Sequence, residues 1–159
     1  MKDPAETDGI ETEGSVADLS YCNNAALRKA TRRLGQLFDD VLAPSGLKAT
    51  QCTLLIQIRA LGQGTLRELA SNLVMDQSAL GHTLKPLIRD GLVTLAPDPN
   101  DRRVKRVVLT DAGVRKFEEA LKLWRVAQDR FESAYGRKKA EQLRSVLNFV
   151  ASEAFADAF

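Results

Sequence analysis

The sequence predicts a mainly α-helical fold interrupted once by a small β-hairpin, and three observations predict it. Apolar residues recur at steps of three and four along most of the chain beyond its first residues, the spacing of helices that bury one face. Two helix-start signals, Thr65-Leu66-Arg67-Glu68 and Asp76, stand close together in the middle of the chain. One pair of strand-like runs, Leu92 to Ala96 and Val104 to Leu109, flanks the turn-forming Pro97-Asp98-Pro99-Asn100-Asp101.

In chain order, Ser20 to Ala43 carries Leu27, Ala30, Leu34, Leu37, Phe38 and Val41 as the stripe of a first helix, which Pro44-Ser45-Gly46 stops. A second helix fits Thr50 to Leu61, with Leu54, Leu55 and Ile58 inward, and Gly62-Gln63-Gly64 ends it by allowing positive φ. Thr65 and Glu68 form a capping box, each satisfying a free backbone N–H of the other's turn, so a third helix should run to about Leu73. Asp76 caps a fourth, Gln77 to Arg89, with Leu80, Leu84, Leu87 and Ile88 inward and Gly91 as its stop. Two short helices so joined make a helix-turn-helix, and the hairpin after them is a wing. Thr110 caps a long fifth helix with a seam of Val114, Phe117, Leu121, Trp124, Gln128, Phe131 and Tyr135. Trp124 and Phe117 are expected in the core of an interface. After Gly136, a sixth helix from about Arg137 to Ala156 carries Leu143, Leu147, Val150 and Ala154 on one side. The whole is a winged helix-turn-helix lobe over residues 47–110, plus helical dimerisation regions over residues 19–46 and 111–159.

A chain of 159 residues, 44% hydrophobic and 28% charged, suits one core. No apolar run approaches the roughly 18 residues that span a bilayer, and no basic and apolar leader opens the chain, so no membrane contact and a cytoplasmic location are expected. Cys22, Cys52 and the single His82 are too scattered for a disulfide scaffold or a clustered metal site. No cofactor is expected. An enzyme would need a nucleophile with a base or a metal, and His82 has no acid-rich cluster near it, so an enzyme is not expected. The net charge of +2 is unevenly spread. Residues 1–18 hold six acids and one base, an acidic tail expected to be disordered, which leaves 22 bases against 15 acids in the rest of the chain. That excess favours a polyanionic partner.

With Leu80, Leu84 and Leu87 inward, helical spacing turns Ser78, His82, Lys85 and Arg89 outward, with Gln77 at the N-terminal end and Thr83 alongside. Side chains of this reach can contact base edges and phosphates when a helix lies in the major groove. Pro86 lacks the N–H that would bond the His82 carbonyl, so it should bend this helix or leave that carbonyl to water. On the wing, Arg102, Arg103, Lys105 and Arg106 put four positive charges in five residues, suited to the narrow minor groove of double-stranded DNA. Asp98 and Asp101 would repel DNA and are expected to stabilise the turn by pairing with one of the two adjacent arginines.

These residues resemble the MarR family of bacterial and archaeal regulators from about Cys22 onward. The likeness lies in Thr65-Leu66-Arg67-Glu68-Leu69-Ala70, then Met75-Asp76-Gln77-Ser78 through Arg89-Asp90-Gly91-Leu92-Val93, then Asp98-Pro99-Asn100-Asp101-Arg102-Arg103, and Leu109-Thr110-Asp111-Ala112-Gly113. The resemblance implies a triangular homodimer, with the first, fifth and sixth helices paired across a two-fold axis and two winged lobes reading a palindromic operator. It implies that Gln77, Ser78, His82 and Lys85 face the major groove and that Arg102 or Arg103 enters the minor groove. It also implies a repressor released by a small phenolic or carboxylate effector near Arg28, Arg32 or Trp124. Gly81, His82 and Pro86 depart from the pattern of many relatives, so the base preference is not transferable. An alternative trigger is oxidation of Cys22, although Cys22-Asn23-Asn24 matches the peroxide-sensing relatives poorly.

Overall fold

A computed structural model describes residues 21–159, so the expected acidic tail lies outside the described residues. The elements in order are α1 (Asn23–Leu42), a 3-10 turn (Ala43–Ser45), α2 (Ala49–Leu61), α3 (Leu66–Asn72), α4 (Gln77–Arg89), β1 (Val93–Pro97), β2 (Lys105–Leu109), α5 (Asp111–Tyr135), α6 (Arg137–Val150) and α7 (Glu153–Ala158). The described residues divide into two compact units, residues 21–34 and 35–159. The first contributes the opening turns of α1. There the Cys22 carbonyl accepts the Ala26 N–H at 3.0 Å and the Cys22 sulfur accepts the Ala25 N–H at 3.4 Å, so two donors of the first turn are satisfied.

In the second unit one apolar core gathers Leu54, Leu55 and Ile58 of α2, Leu69 of α3, Leu80, Leu84 and Leu87 of α4, Val93 and Val107 of the hairpin, and Ala120 of α5. Leucines 80, 84 and 87 are wholly buried. Ile88, expected beside them, is 38% exposed. At 3.6 residues per turn it lies about 70° from the centre of that stripe, at its edge. The hairpin is antiparallel, Val93 opposite Leu109 and Pro97 opposite Lys105. The Val107 N–H donates to the Gly64 carbonyl at 3.1 Å and Thr65 bridges to Arg106, so the segment before α3 extends the sheet.

Two expectations about the C-terminal helices need correction. The fifth helix buries Gly113, Ala120 and Ala127, while Phe117, Leu123 and Trp124 pack on the core of the same chain, so Phe117 and Trp124 are not purely interface residues. The sixth helix stops at Val150 because the Ser152 hydroxyl donates to the Phe149 carbonyl at 2.7 Å and accepts the Phe155 N–H at 3.3 Å, capping α7 afresh. The long continuous helix expected to Ala156 is therefore two.

Thr110 joins hairpin to α5. Its hydroxyl donates to the Gly91 carbonyl at 2.6 Å and accepts the Gly113 N–H at 3.0 Å, and its own N–H donates to the Leu92 carbonyl at 3.1 Å. Gly113 is required by this closeness, since a Cβ there would lie 1.9 Å from the Leu92 carbonyl oxygen. Gly113→Ala should cost at least about 1–3 kcal/mol through forced displacement of backbone. Gly35→Ala, on α1 with nothing within 4 Å of its would-be Cβ, should instead gain about 0.5–1 kcal/mol. Urea unfolding of the two variants checks the opposite signs.

Candidate nucleic-acid interface

The helix pair is built from its caps. The Thr65 hydroxyl accepts the Glu68 N–H at 3.1 Å, and the Glu68 carboxylate accepts the Thr65 N–H at 2.7 Å. The Thr65 N–H first, then the Thr65 hydroxyl, which also donates to the carboxylate at 2.9 Å, hold the Glu68 carboxyl below its usual range. Between α3 and α4 the chain turns through Val74 at φ 52°, with its N–H on the Ser71 carbonyl at 3.0 Å and the Met75 N–H on the Ala70 carbonyl at 2.9 Å. A β-branched residue in the left-handed region is strained, and nothing in the sequence marked the position. Asp76 then caps α4, accepting the Ala79 N–H at 2.7 Å.

Anchored by its leucines, α4 leaves Gln77, Ser78, His82, Lys85 and Arg89 exposed. Lys85 Nζ lies 3.1 Å from His82 Nδ1, so these two side chains converge on one patch. Thr83, expected with them, is half-buried and its hydroxyl donates to the Ala79 carbonyl at 2.9 Å. Arg89 is paired with neighbouring Asp90 at 2.9 Å, which offsets its charge locally. Pro86 does not interrupt the helix, whose end is closed by the Asp90 N–H on the Pro86 carbonyl at 2.9 Å.

Asp98 organises the wing. One of its oxygens accepts the N–H groups of Asn100 (2.7 Å) and Asp101 (3.2 Å), and the other pairs with Arg106 Nε at 2.6 Å. Arg106 also donates through Nη1 to the Gln63 carbonyl at 2.8 Å, which ties the hairpin to the turn after α2. The Asn100 N–H first, then Arg106, holds the Asp98 carboxyl well below the usual carboxylate range. Arg103 pairs with Asp101 at 3.1 Å while remaining 91% exposed, matching the expectation that one of the adjacent arginines is taken up by the turn. Arg102 and Lys105 are exposed and have no ion-pair partner among the described residues. Sequence reasoning counted Arg106 only as wing charge. Its structural role follows from pairing with Thr65, a contact that local pattern does not show.

The remaining candidates are spread out. Arg28 and Arg32 are exposed on α1, and Trp124 is half-buried on α5. Cys22 is half-buried, whereas Cys52 is buried and its thiol is pushed up to about 11, which keeps it an inert thiol at neutral pH. Among the described residues no helix is long and apolar enough to cross a membrane.

Residues 47–105, which span α2, α3, α4, β1 and the wing turn as far as the first residue of β2, match the model of the MarR family. Escherichia coli (strain K12) multiple antibiotic resistance protein MarR is 32% identical over 103 residues, 65% of this chain and 70% of that protein. The chain is a member of the MarR family. As a MarR-family transcriptional regulator it has DNA-bound structural neighbours. Mycobacterium tuberculosis MosR in complex with DNA superposes with a TM-score of 0.76 at 32% identity, covering 87% of this chain and 99% of MosR. The repressor CouR, of Rhodococcus jostii RHA1, bound to a 23-mer DNA duplex gives a TM-score of 0.76 at 28% identity, over 89% of this chain and all of CouR. CouR bound to p-coumaroyl-CoA gives 0.75 at 27% identity, over 89% of this chain and 99% of CouR.

Two measurements check the electrostatics and strain described for the MarR lobe. Val74→Asn relieves the left-handed strain and should raise stability by about 1 kcal/mol in urea unfolding. Because the folded Asp98 carboxyl is depressed, its stabilisation is fully present above its unfolded pKa of about 3.9 and is lost as pH falls through the folded value. The stability gap between wild type and Asp98→Asn should therefore be wide at neutral pH and shrink under acid.

Proposed function

We propose that the protein is a repressor that binds a palindromic operator in double-stranded DNA as a homodimer and releases it when a small-molecule effector binds. The observation that carries this reading is the two-sidedness of α4: three leucines wholly buried on one side, and Gln77, Ser78, His82 and Lys85 exposed on the other. A helix so presented suits the major groove, Gln77 and Ser78 at its N-terminal end reaching base edges while Lys85 and Arg89 meet phosphates. Thr83, half-buried with its hydroxyl on the Ala79 carbonyl, is a further proposed contact. Arg102, Arg103 and Lys105 are the proposed wing contacts to the minor groove and the flanking backbone.

In this division of labour residues 47–110 read DNA, and residues 19–46 and 111–159 pair two copies. Supporting the pairing, α1 exposes Leu27 and Leu37, α5 exposes Val126 and Tyr135, and α6 exposes Val146 and Phe149. The DNA-bound and p-coumaroyl-CoA-bound forms of CouR support release by a ligand, and Arg28, Arg32 and Trp124 are each proposed effector contacts.

Selection of a bound duplex from a random pool should yield an inverted repeat. Arg102→Ala with Arg103→Ala should lower affinity for that duplex by tenfold or more and flatten its salt dependence, by about 0.9 in log–log slope for each phosphate no longer neutralised. Unchanged affinity and slope would sink the wing contact. Peroxide should leave the complex intact, and release that Cys22→Ser abolishes would put oxidation in the effector's place.

A further inference from the structure

Where the wing is rooted in the lobe there is a cleft of about 220 Å³. Its walls are Ile58 of α2, Val108 and Leu109 of β2 and Val114 of α5, and its polar groups are Arg59 and Gln63. The wall is entirely aliphatic. Arg59 has no carboxylate partner among the described residues, and no acid lines the cleft, so one positive charge stands beside an apolar surface uncompensated. A second open cleft, between α5 and α6, differs on this point, because its Arg137 already pairs with Glu132 at 3.4 Å.

We propose that the cleft at the wing root binds an aliphatic monocarboxylate and that its occupancy loosens the wing. The inference rests on the reading of the protein as a DNA-releasing regulator. Guanidinium and carboxylate match in charge and in forked geometry, and a short alkyl chain covers the isoleucine, valine and leucine wall. The volume is below the roughly 300–1,000 Å³ of pockets for drug-sized ligands, so the occupant is small. Gln63 provides the coupling. It lines the cleft, while its carbonyl accepts Arg106 Nη1 at 2.8 Å and its Oε1 lies 3.4 Å from the same nitrogen. Arg106 in turn holds Asp98, the hub of the wing turn, at 2.6 Å. A carboxylate that draws the Gln63 side chain toward Arg59 withdraws its Oε1 from Arg106, leaving the Gln63 carbonyl as the remaining tie at this point, and so loosens the hairpin. By linkage, DNA that needs the ordered wing must weaken carboxylate binding by the same factor.

Hexanoate is a suitable probe, with hexanamide as its neutral counterpart. Calorimetry without DNA should show hexanoate binding to the wild type, with affinity about tenfold lower for Arg59→Ala and for hexanamide. Arg59 is exposed, so the variant should keep the wild-type circular dichroism. Saturating hexanoate should weaken wild-type binding to the selected duplex several-fold and leave Arg59→Ala unaffected. Absent binding, or binding indifferent to Arg59 or to the ligand's charge, overturns the site while duplex binding leaves the regulator standing. Arg59-dependent binding that does not alter duplex affinity overturns the coupling. A protein that takes hexanoate and no duplex refutes the regulator and the coupling with it. Hexanoate release that is lost in Arg28→Ala or Arg32→Ala but retained in Arg59→Ala moves the effector to α1 and overturns the proposal.

Discussion

The burial of Leu80, Leu84 and Leu87 fixes the rotation of α4, and the rest of the lobe is arranged around that fixed helix. Each leucine removes a large apolar side chain from water, worth about 1.5–3 kcal/mol against exposure, and together they leave the helix one way to face. Turning α4 by about half its circumference would bring His82 and Lys85 against the apolar core, a desolvation that no described partner offsets. The polar face is therefore a consequence of the apolar one. What the exposed side can touch is decided by what the buried side refuses.

The wing follows a different logic, in which charges are sorted by partner rather than by burial. Asp98 and Arg106 are drawn inward, the carboxylate receiving two backbone N–H groups and a guanidinium, and so define the shape of the turn. Arg102 and Lys105, a few residues away, keep their charges uncommitted. The same basic run thus supplies a scaffold and a surface. Thr110 completes the arrangement by bonding to Gly91, Leu92 and Gly113, so that the hairpin, the end of α4 and the start of α5 share one junction.

Much of this was legible in the sequence because it is encoded locally. The starts of α3, α4 and α5 were marked by Thr65, Asp76 and Thr110, whose side chains act within three residues of themselves. The leucine stripe, the position of the hairpin and the exposure of Gln77, Ser78, His82 and Lys85 followed from periodicity. What escaped depends on relations periodicity does not carry. Arg106 anchors the hairpin to the lobe because Gln63 and Thr65, far back in the chain, lie beside it, and Val74 takes a left-handed conformation at the position that joins two capped helices. Ser152 could be read equally as a residue within a helix or as a cap, and its bonds to Phe149 and Phe155 decide for the cap. Trp124 has seam spacing yet faces the lobe, since a long helix can serve two neighbours at once.

The side of α4 opposite its leucines is the surface proposed to meet DNA. Backbone and side-chain NMR of the labelled protein, titrated with its selected duplex and with a scrambled one, tests this most directly. Specific duplex should shift the resonances of Gln77, Ser78, His82 and Lys85, together with Arg102 and Lys105, while those of the Leu80, Leu84 and Leu87 methyls change little. Shifts confined to α5 and α6, with the α4 face unmoved, would contradict it.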